Sequence, residues 1–333
     1  MTCSNCQTIW KTRRGDTLPA FVLYLILSCL TCLVMINIPS LMFVLAIIWG
    51  IILILTGLET NKKQLTIIYA ANLLLLWFLA GTIDFLYIGL PALAMAFRAI
   101  NKNSGYYNLL KVGLGTAVIA GGLLLGLIYL NGDNGITQVE HQINNYVKEN
   151  LELYENSGAF ELYRDTGMSE AEFESSLYKI VHVMVQHMPA LYFLQTIMIT
   201  AITLYLASRL ARRRGLNRLE KRPFAGEQLP WQFAWVVIAG LGLWLTGQEE
   251  STMRLIGSNL LAVMAPVLAY FGLSVLAFKL NNVHPFRKPW LTVLIVITAI
   301  FLTLPVLIFL ILLGLFDSLI DYRKLRTDKE VPL

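Results

Sequence analysis

The fold of this chain is decided by the stretch PALYFLQTIMITAITLYLASRLARRRGLNRLEKR, which runs from Pro189 to Arg222. Its first part, Pro189–Ala207, is an apolar run about as long as a helix that crosses a bilayer core of roughly 30 Å. Its second part carries a cluster of bases: Arg209, Arg212, Arg213, Arg214, Arg218, Lys221 and Arg222. Residues 131–186, just before it, hold ten acids against three bases. Because short cytoplasmic loops collect Lys and Arg, this asymmetry predicts a span whose basic end faces the cytoplasm.

The composition is that of a membrane protein rather than a soluble one. Hydrophobic residues make up 56% of the chain and charged residues only 14%, whereas a soluble domain is about half apolar and about a quarter charged. The formal net charge of +5 is distributed by loop rather than along one face. Membrane orientation explains this segregation, so we expect no nucleic-acid partner and take the lipid bilayer as the first partner of the chain.

Apolar stretches recur along the chain, and turn or charged residues separate them. The stretches are Leu18–Ile36, Leu41–Leu58, Leu65–Phe97, Leu109–Leu130, Pro189–Ala207, Phe233–Thr246, Leu255–Phe278 and Trp290–Phe316. Their lengths and their lack of charge predict membrane helices. The expected fold is therefore all-α, a polytopic transmembrane helix bundle with one helical extramembrane loop.

Two of these stretches, Leu65–Phe97 and Trp290–Phe316, are long enough to cross once with a tilt or twice as a hairpin. The first has bases on both flanks: Lys62 and Lys63 before it, and Arg98, Lys102 and Lys111 after it. If both flanks are cytoplasmic, the chain crosses twice and turns near Gly81–Asp84. The second stretch is broken near Pro305 and leads into a basic tail. We expect ten crossings with both termini in the cytoplasm; eight crossings, one for each stretch, is the alternative.

These boundaries divide the chain into five segments. They are a cytoplasmic N-terminal segment (1–17), a first transmembrane half (18–130), an acidic extracytoplasmic loop (131–186), a second transmembrane half (187–320) and a cytoplasmic tail (321–333). Helical spacing of apolar residues predicts an amphipathic helix in the acidic loop. The pattern Ser169-x-x-Glu172 fits a capping box that opens another helix, which can run on into the next span across Pro189.

The four cysteines form two pairs with C-x-x-C spacing, Cys3/Cys6 and Cys29/Cys32. Two such pairs can bind zinc tetrahedrally. The second pair, however, lies inside the apolar run Leu18–Ile36, where a site of charged thiolates is costly to bury. We therefore expect no metal site and interpret all four residues as free thiols.

Three polar residues inside or beside apolar stretches are the candidates for substrate binding: Asn72, Asp84 and Asn259. Ionisable groups inside a membrane are costly and usually functional, which singles out Asp84. The alternative for Asp84 is a hydrated position at the outer turn of its hairpin. The two asparagines must each find a hydrogen-bond partner, and a bond between helices is the alternative to ligand contact.

A second candidate group lies at the end of the last apolar stretch. Asp317 and Asp321 are four residues apart and share a helix face, and Arg323 follows them. Side chains at this spacing can bind bases in the cytoplasmic loops. The group is interpreted as a structural clamp, with docking of a cytoplasmic partner as the alternative.

Motifs for catalysis are not found. The sequence contains no Walker motif, no nucleophile elbow and no paired-carboxylate pattern. Acids are nearly missing from the apolar stretches, which argues against a proton-relay pump. We expect neither an enzyme nor a bound cofactor.

The order of features from the basic loop to the tail resembles the YybS-like family of polytopic bacterial membrane proteins. The resemblance rests on these residues: Pro223-Phe224, Leu229-Pro230-Trp231, Gly257-Ser258-Asn259-Leu260-Leu261, Gly272, Gly314-Leu315-Phe316-Asp317-Ser318 and Asp321-Tyr322-Arg323. It implies a fold and a compartment, the bacterial cytoplasmic (inner) membrane. The family is remotely similar to the substrate-binding subunits of energy-coupling-factor vitamin transporters, which dock a partner through a helix with small residues at four-residue spacing.

Two functions are compatible with this pattern. The first is small-molecule transport or solute binding within the membrane, because helices broken by proline and glycine often line substrate sites. The second is a non-transporting scaffold or subunit of a cell-envelope or division complex, because the spans hold few polar groups and the acidic loop is structured. The second function implies a membrane or cytoplasmic protein partner.

Overall fold

The structure is a computed structural model that describes residues 17–80, 88–101, 103–130, 141, 143–145, 147–148, 170–249 and 251–325. Regular structure in these residues is helical throughout. The helices are α1 (Thr17–Asn37), α2 (Met42–Glu59), α3 (Lys62–Leu75), α4 (Leu90–Ala99), α5 (Tyr106–Leu130), α6 (Glu170–Gln186), α7 (Met188–Arg213), α8 (Gln232–Thr246), α9 (Thr252–Asn281), α10 (Lys288–Phe301) and α11 (Thr303–Ile320). A π-helical turn, Leu76–Ala80, extends α3.

The helices agree closely with the predicted apolar stretches. Five of them are long and apolar enough to cross a membrane: α2, the part of α5 up to Leu124, α7, α9 and α11. Shorter apolar helices are Phe21–Asn37 within α1, α4, α8 and α10. The helix that opens the second part of the acidic loop begins at Glu170, as the capping pattern predicts. The all-α polytopic class is therefore confirmed.

The chain folds into two compact units, and each is built from two separate pieces of sequence. Unit 1 comprises Met1–Leu127 and Phe193–Lys221, and unit 2 comprises Ile128–Tyr192 and Arg222–Leu333. Two of the three borders fall inside α5 and α7, and the third lies between Lys221 and Arg222 in the loop after α7. Packing thus divides the chain inside helices, whereas the predicted halves, 18–130 and 187–320, were separated by the acidic loop.

In unit 1, the segments α3 and α4 lie along α2 in opposite directions. Trp49, near the middle of α2, donates from Nε1 to Asn72 Oδ1 at 2.9 Å. Gly57, at the end of α2, lies against the backbone of Ala96 near the end of α4. Since α3 runs away from the end of α2 and α4 runs back toward it, the stretch Leu65–Phe97 doubles back as the predicted hairpin requires. Its tip, including the predicted turn at Gly81–Asp84, lies outside the described residues.

The helix ends of unit 1 that carry bases meet at one end of the unit. Arg214, just after α7, donates to Glu59 Oε1 at the end of α2 at 2.9 Å. Lys221 lies over the ring of Tyr106 at the start of α5, with 6.0 Å from Nζ to the ring centroid. Lys62 and Arg98, at the start of α3 and the end of α4, belong to the same end. This convergence is the arrangement that a common cytoplasmic side for these loops demands.

In unit 2, α9 and α11 run parallel and pack closely. A Cβ atom at Gly272 would overlap the backbone oxygen of Leu310, and one at Gly314 would overlap that of Leu268. Further along both helices, Lys279 Nζ lies 4.5 Å from the ring centroid of Tyr322. Small residues at such crossings allow backbones to touch, which favours helix association in lipid.

The last apolar stretch also doubles back. Helix α11 ends beside the end of α9 and is about 27 Å long, so its start lies far from that end. Only residues 282–287 join α9 to α10, and α10 must therefore return along the unit. The break falls at Leu302 (φ −120°, ψ 49°) rather than at Pro305. Pro305 occupies the first turn of α11. Backbone N–H groups in the first turn have no acceptor within the helix, so the N–H that proline lacks costs no hydrogen bond there.

The close approach of α9 and α11 predicts opposite effects for two glycines. Gly272→Ala forces two backbones apart and should lower the free energy of unfolding by about 1–3 kcal/mol. Gly242→Ala in α8, where a Cβ would meet no atom within 4 Å, should be neutral or stabilising by up to about 1 kcal/mol. Thermal unfolding of both variants in detergent measures the difference, and equal melting temperatures would contradict the packing described.

Candidate functional site

A small cavity lies inside unit 1, between α2, α4 and α7. It is lined by Ala46 of α2, by Ile88, Pro91, Ala92 and Met95 at and before α4, and by Thr196, Ile199, Thr200 and Thr203 of α7. Thr200 lies midway along the 26 residues of α7, so the cavity is near the middle of that span. The cavity has room for about one water molecule.

Three threonines of α7 supply the polar part of this lining. Thr196, Thr200 and Thr203 follow one another at helical spacing on one face, and each is at most 2% exposed. Thr203 Oγ1 is buried without a hydrogen-bond partner among the described residues. A threonine in a helix normally bonds the carbonyl four residues back, and an unsatisfied buried hydroxyl costs about 1–3 kcal/mol. Thr203 is therefore the polar group in this cavity that calls for an explanation.

Glycine lets α5 reach the same face of α7. A Cβ atom at Gly113 would stand 2.8 Å from Thr200 Cγ2 and 2.7 Å from Met95 Sδ. Gly113 therefore packs tightly within unit 1. Close contact of α5 with Met95 and Thr200 therefore supports two residues of the cavity lining.

Asn72 is buried in unit 1 but does not line the cavity. Its Oδ1 accepts the Trp49 indole N–H, and its Nδ2 donates to Ser28 Oγ at 2.9 Å and to Ile68 O at 2.8 Å. The side-chain amide therefore uses both its donors and its acceptor. It joins α1, α2 and α3, which is the helix-to-helix bonding considered above as its alternative role.

Asn259 lies in unit 2, at the break between α6 and α7. In a continuous helix the N–H of Ala190 would donate to the carbonyl of Gln186. Instead, Asn259 Oδ1 accepts from Ala190 N at 3.1 Å, and its Nδ2 donates to Gln186 O at 3.0 Å. The amide of Asn259 is thus inserted between the donor and the acceptor of the interrupted bond. The predicted run of one helix into the next is correct except for a break at His187.

Asp84 belongs to residues 81–87, which are outside the described residues. The next residue that the structure describes, Ile88, lines the cavity. Cys3 and Cys6 are also outside the described residues, while Cys29 and Cys32 are free thiols on α1. The described residues contain no group of three or more His, Cys, Asp or Glu arranged for a metal ion.

Asp317 and Arg323 form a buried ion pair at the end of α11. Arg323 Nη2 donates to Asp317 Oδ2 at 2.7 Å, and the two side chains are 0% and 2% exposed. The same guanidinium donates to Ala225 O at 2.7 Å, to Ser274 Oγ at 2.9 Å and to Glu227 O at 2.6 Å. Charge and hydrogen-bonding capacity are both satisfied, as a buried ion pair requires. The pair clamps the loop before α8 to the ends of α9 and α11.

Asp321 supports the same clamp from a left-handed backbone conformation (φ 49°). Its Oδ1 accepts from Gln228 Nε2 at 2.7 Å and from Leu325 N at 3.1 Å. The expected bond from Asp321 to a loop is therefore present, in the loop before α8, although its donor is an amide rather than a base. Of the three residues considered for partner docking, Asp317 and Arg323 are turned inward.

Sequence reasoning missed the threonine face of α7. It also missed Glu227, the buried residue of the loop before α8 that belongs to the clamp. Thr196, Thr200 and Thr203 carry a readable signal, since their spacing of four and three residues places them on one side of a helix. Glu227, whose carboxylate accepts from the Tyr270 hydroxyl, carries no such signal. It lies in a basic loop and is buried only because that loop folds onto α9.

The bridging role of Asn259 predicts a local effect. Asn259→Ala leaves Ala190 N–H and Gln186 C=O without the bridge and should lower the free energy of unfolding by about 1–2 kcal/mol. Hydrogen exchange at Ala190 should accelerate together with this loss. Asn108→Ala, at an exposed position on α5, is the control that should change neither quantity. Unchanged exchange at Ala190 in Asn259→Ala would contradict the bridge.

The unpartnered hydroxyl of Thr203 predicts an unusual gain in stability. Thr203→Val keeps the side-chain shape, removes the unsatisfied group and should raise the free energy of unfolding by about 1 kcal/mol. Thr56 is buried as well, but its Oγ1 donates to Ile52 O at 2.8 Å. Thr56→Val should therefore lower that free energy by about 0.5–1.5 kcal/mol. Thermal unfolding of the two variants compares the signs, and a loss in both would show that Thr203 is satisfied.

Comparison with known proteins gives one match. A family model described as "Predicted membrane protein (DUF2232)" matches residues 25–318. No curated protein and no solved structure matches the chain. The match confirms the predicted kind of family, one of polytopic membrane proteins without an assigned activity. It gives no support to the remote similarity with energy-coupling-factor substrate-binding subunits.

Proposed function

The chain belongs to the DUF2232 family of predicted membrane proteins, and we propose that it binds or transports a small, uncharged solute at the threonine face of α7. The observation that carries this proposal is the buried Thr203 hydroxyl, which has no partner among the described residues and adjoins a mid-span cavity. An unsatisfied buried polar group in a folded protein calls for an explanation, and a bound polar ligand is one such explanation. Among the described residues that line the cavity, none is charged, which favours a neutral, hydrogen-bonding solute.

The architecture around the cavity supports this function. The lining includes the start of α4, the returning half of the broken hairpin, and broken helices commonly line solute sites in transporters. Ligand pockets in proteins usually have volumes of about 300–1,000 Å³, far above that of this cavity. We therefore propose that the structure represents a closed state and that α4 or α7 moves when solute enters.

The orientation follows from the charges. We propose that the chain lies in the bacterial inner membrane with both termini and the basic loops in the cytoplasm. In unit 1 this places the ends of α2, α4 and α7 on the cytoplasmic side. In unit 2 it places Glu249 and Arg254, which pair at 3.5 Å, on the opposite side. We propose no catalytic step.

A scaffold role is the second candidate, and a specific observation favours it. Two of the predicted solute-binding residues, Asn72 and Asn259, use their amides to hold helices together. In this case the clamp around Arg323 shapes the cytoplasmic loop before α8 for a protein partner, and the cavity is only a packing defect. Access to the cavity distinguishes the two candidates.

Cysteine labelling tests that access. In a variant with all four native cysteines changed to serine, Thr203→Cys should react with the small, uncharged reagent methyl methanethiosulfonate at least about tenfold faster than Thr56→Cys, because only the first adjoins a cavity that opens. Thr56 is 0% exposed and outside the cavity lining, so it is a matched buried control.

Equal labelling rates at the two positions would overturn the solute-binding proposal and leave the scaffold. The cysteine-free protein must first have the same melting temperature as the parent chain. A slow labelling reaction then cannot be caused by misfolding. A small solute that slows labelling of Thr203→Cys, but not of Thr56→Cys, would identify the class of compound that enters the cavity.

A further inference from the structure

The end of unit 1 at which α7 stops carries a concentration of positive charge. Residues 209–221 contain six bases and a single acid, Glu220. Bases that serve only to orient a protein need no particular arrangement. In unit 1, however, these bases divide into an inward group and an outward group.

The inward group consists of Arg214 and Arg218, which are defined by their bonds to α1 and α2; the Arg214 side chain is still 48% exposed. Arg214 donates to Glu59 and to the Tyr24 hydroxyl, and its hydrogen bond with Glu59 raises the pKa of the guanidinium. Arg218 Nη2 donates to Leu58 O at 3.1 Å. These bonds fasten the segment after α7 to the ends of α1 and α2, so the neighbouring bases project from a fixed backbone.

The outward group consists of Arg209, Arg212, Arg213 and Lys221. The three arginines are exposed, and none of them forms an ion pair within the described part of the chain. Arg209 Cζ and Lys221 Nζ lie 5.2 and 5.3 Å from the centroid of the Tyr205 ring. The two cations are therefore within about 10.5 Å of each other, and cation–π contact holds both near that ring.

The outward group lies at the depth of a lipid headgroup. Helix α7 rises about 1.5 Å per residue, so Arg209 is about 31 Å from Met188 along its axis. That distance is about the thickness of the hydrocarbon core. Tyrosines are typical of this boundary, and Tyr205 is 37% exposed there. The charged groups of Arg212 and Arg213 then reach the phosphate layer.

We propose that Arg209, Arg212, Arg213 and Lys221 form a binding site for the phosphate of an anionic phospholipid. Guanidinium groups bind phosphate oxygens through paired hydrogen bonds, and clusters of bases just beside a span are attracted to anionic lipids. The acyl chains of such a lipid would lie along the apolar surface of α7, where Met198 is 52% exposed. The site is separate from the cavity and does not depend on the proposed solute.

The test is lipid binding to the full chain purified in detergent. Native mass spectrometry with dioleoylphosphatidylglycerol and with dioleoylphosphatidylcholine should show preferential retention of the anionic lipid. The variant R209Q/R212Q/R213Q should lose about tenfold or more in apparent affinity, since each base near a charged lipid contributes several-fold. The control K62Q/K63Q/R98Q removes the same number of exposed charges from the same end of unit 1 and should lose much less.

Two results would overturn the proposal. Equal losses in the test and control variants would mean that net charge, rather than this site, attracts the lipid. Equal competition by inorganic phosphate would mean that the site takes a soluble anion instead of a lipid.

Thermal unfolding of R209Q/R212Q/R213Q should match that of the parent chain, because the inward bases remain. If the triple variant unfolds, the single variants R209Q, R212Q and R213Q replace it, and each should show a smaller loss of lipid binding.

Discussion

Wherever a membrane helix breaks, its freed backbone groups must find partners inside the protein, and this constraint governs the structure. Lipid offers no hydrogen bonds, so an unpaired N–H or C=O costs several kcal/mol. At His187 the amide of Asn259 takes the place of the missing backbone bond. At Leu302 the N–H donates to Thr298 O at 2.8 Å, and Thr303 Oγ1 donates to Ala299 O at 3.0 Å. At both of these breaks a side chain supplies the missing partner, Asn259 from another helix at His187 and Thr303 from the break itself at Leu302.

The same constraint explains the buried Arg323. The loop before α8 presents carbonyl groups at Ala225 and Glu227 to the interior of unit 2, and the guanidinium supplies donors to both. Asp317 balances its charge and Ser274 takes a further bond. A loop that would otherwise be expensive to bury becomes part of the packed end of the unit. The clamp is thus a consequence of burying irregular backbone.

Against this background the threonine face of α7 stands out, because Thr203, like Ser104 at the loop before α5, has a buried hydroxyl with no partner in the described residues. Asn72 and Asn259 are fully engaged, and so are Asp317 and Arg323, whereas Thr203 Oγ1 has no partner in the described residues. Elsewhere in unit 1, threonines follow the usual pattern: Thr56 Oγ1 donates to Ile52 O, and Thr60 Oγ1 to Thr56 O. The backbone groups at His187 and Leu302 are hydrogen-bonded. The Thr203 hydroxyl is not, within the described residues, and this difference makes it informative. That contrast is the observation on which the proposed solute site rests.

Residue patterns identified polar groups that hold the helices together, but not the threonine face that lines the cavity. Asn72 and Asn259 were identified as polar groups in apolar surroundings, and their partners, Trp49 and the α6–α7 junction, are far away in sequence. The grouping of Asp317, Asp321 and Arg323 was recognised from spacing. Their acceptors and donors in the loop before α8 depend on how that loop folds. Thr203 looks like any helical threonine until its neighbours are known.

By itself, the sequence determined the class of the protein, its apolar helices and the separation of basic from acidic segments. These properties follow from the hydrophobic length of each stretch and from local charge, which act within about twenty residues. Only the tertiary structure decided that the stretches Leu65–Phe97 and Trp290–Phe316 double back. It also decided which polar groups are satisfied and which bases point outward. These outcomes depend on contacts between residues distant in the chain, such as Gly272 with Leu310, and no local pattern contains them.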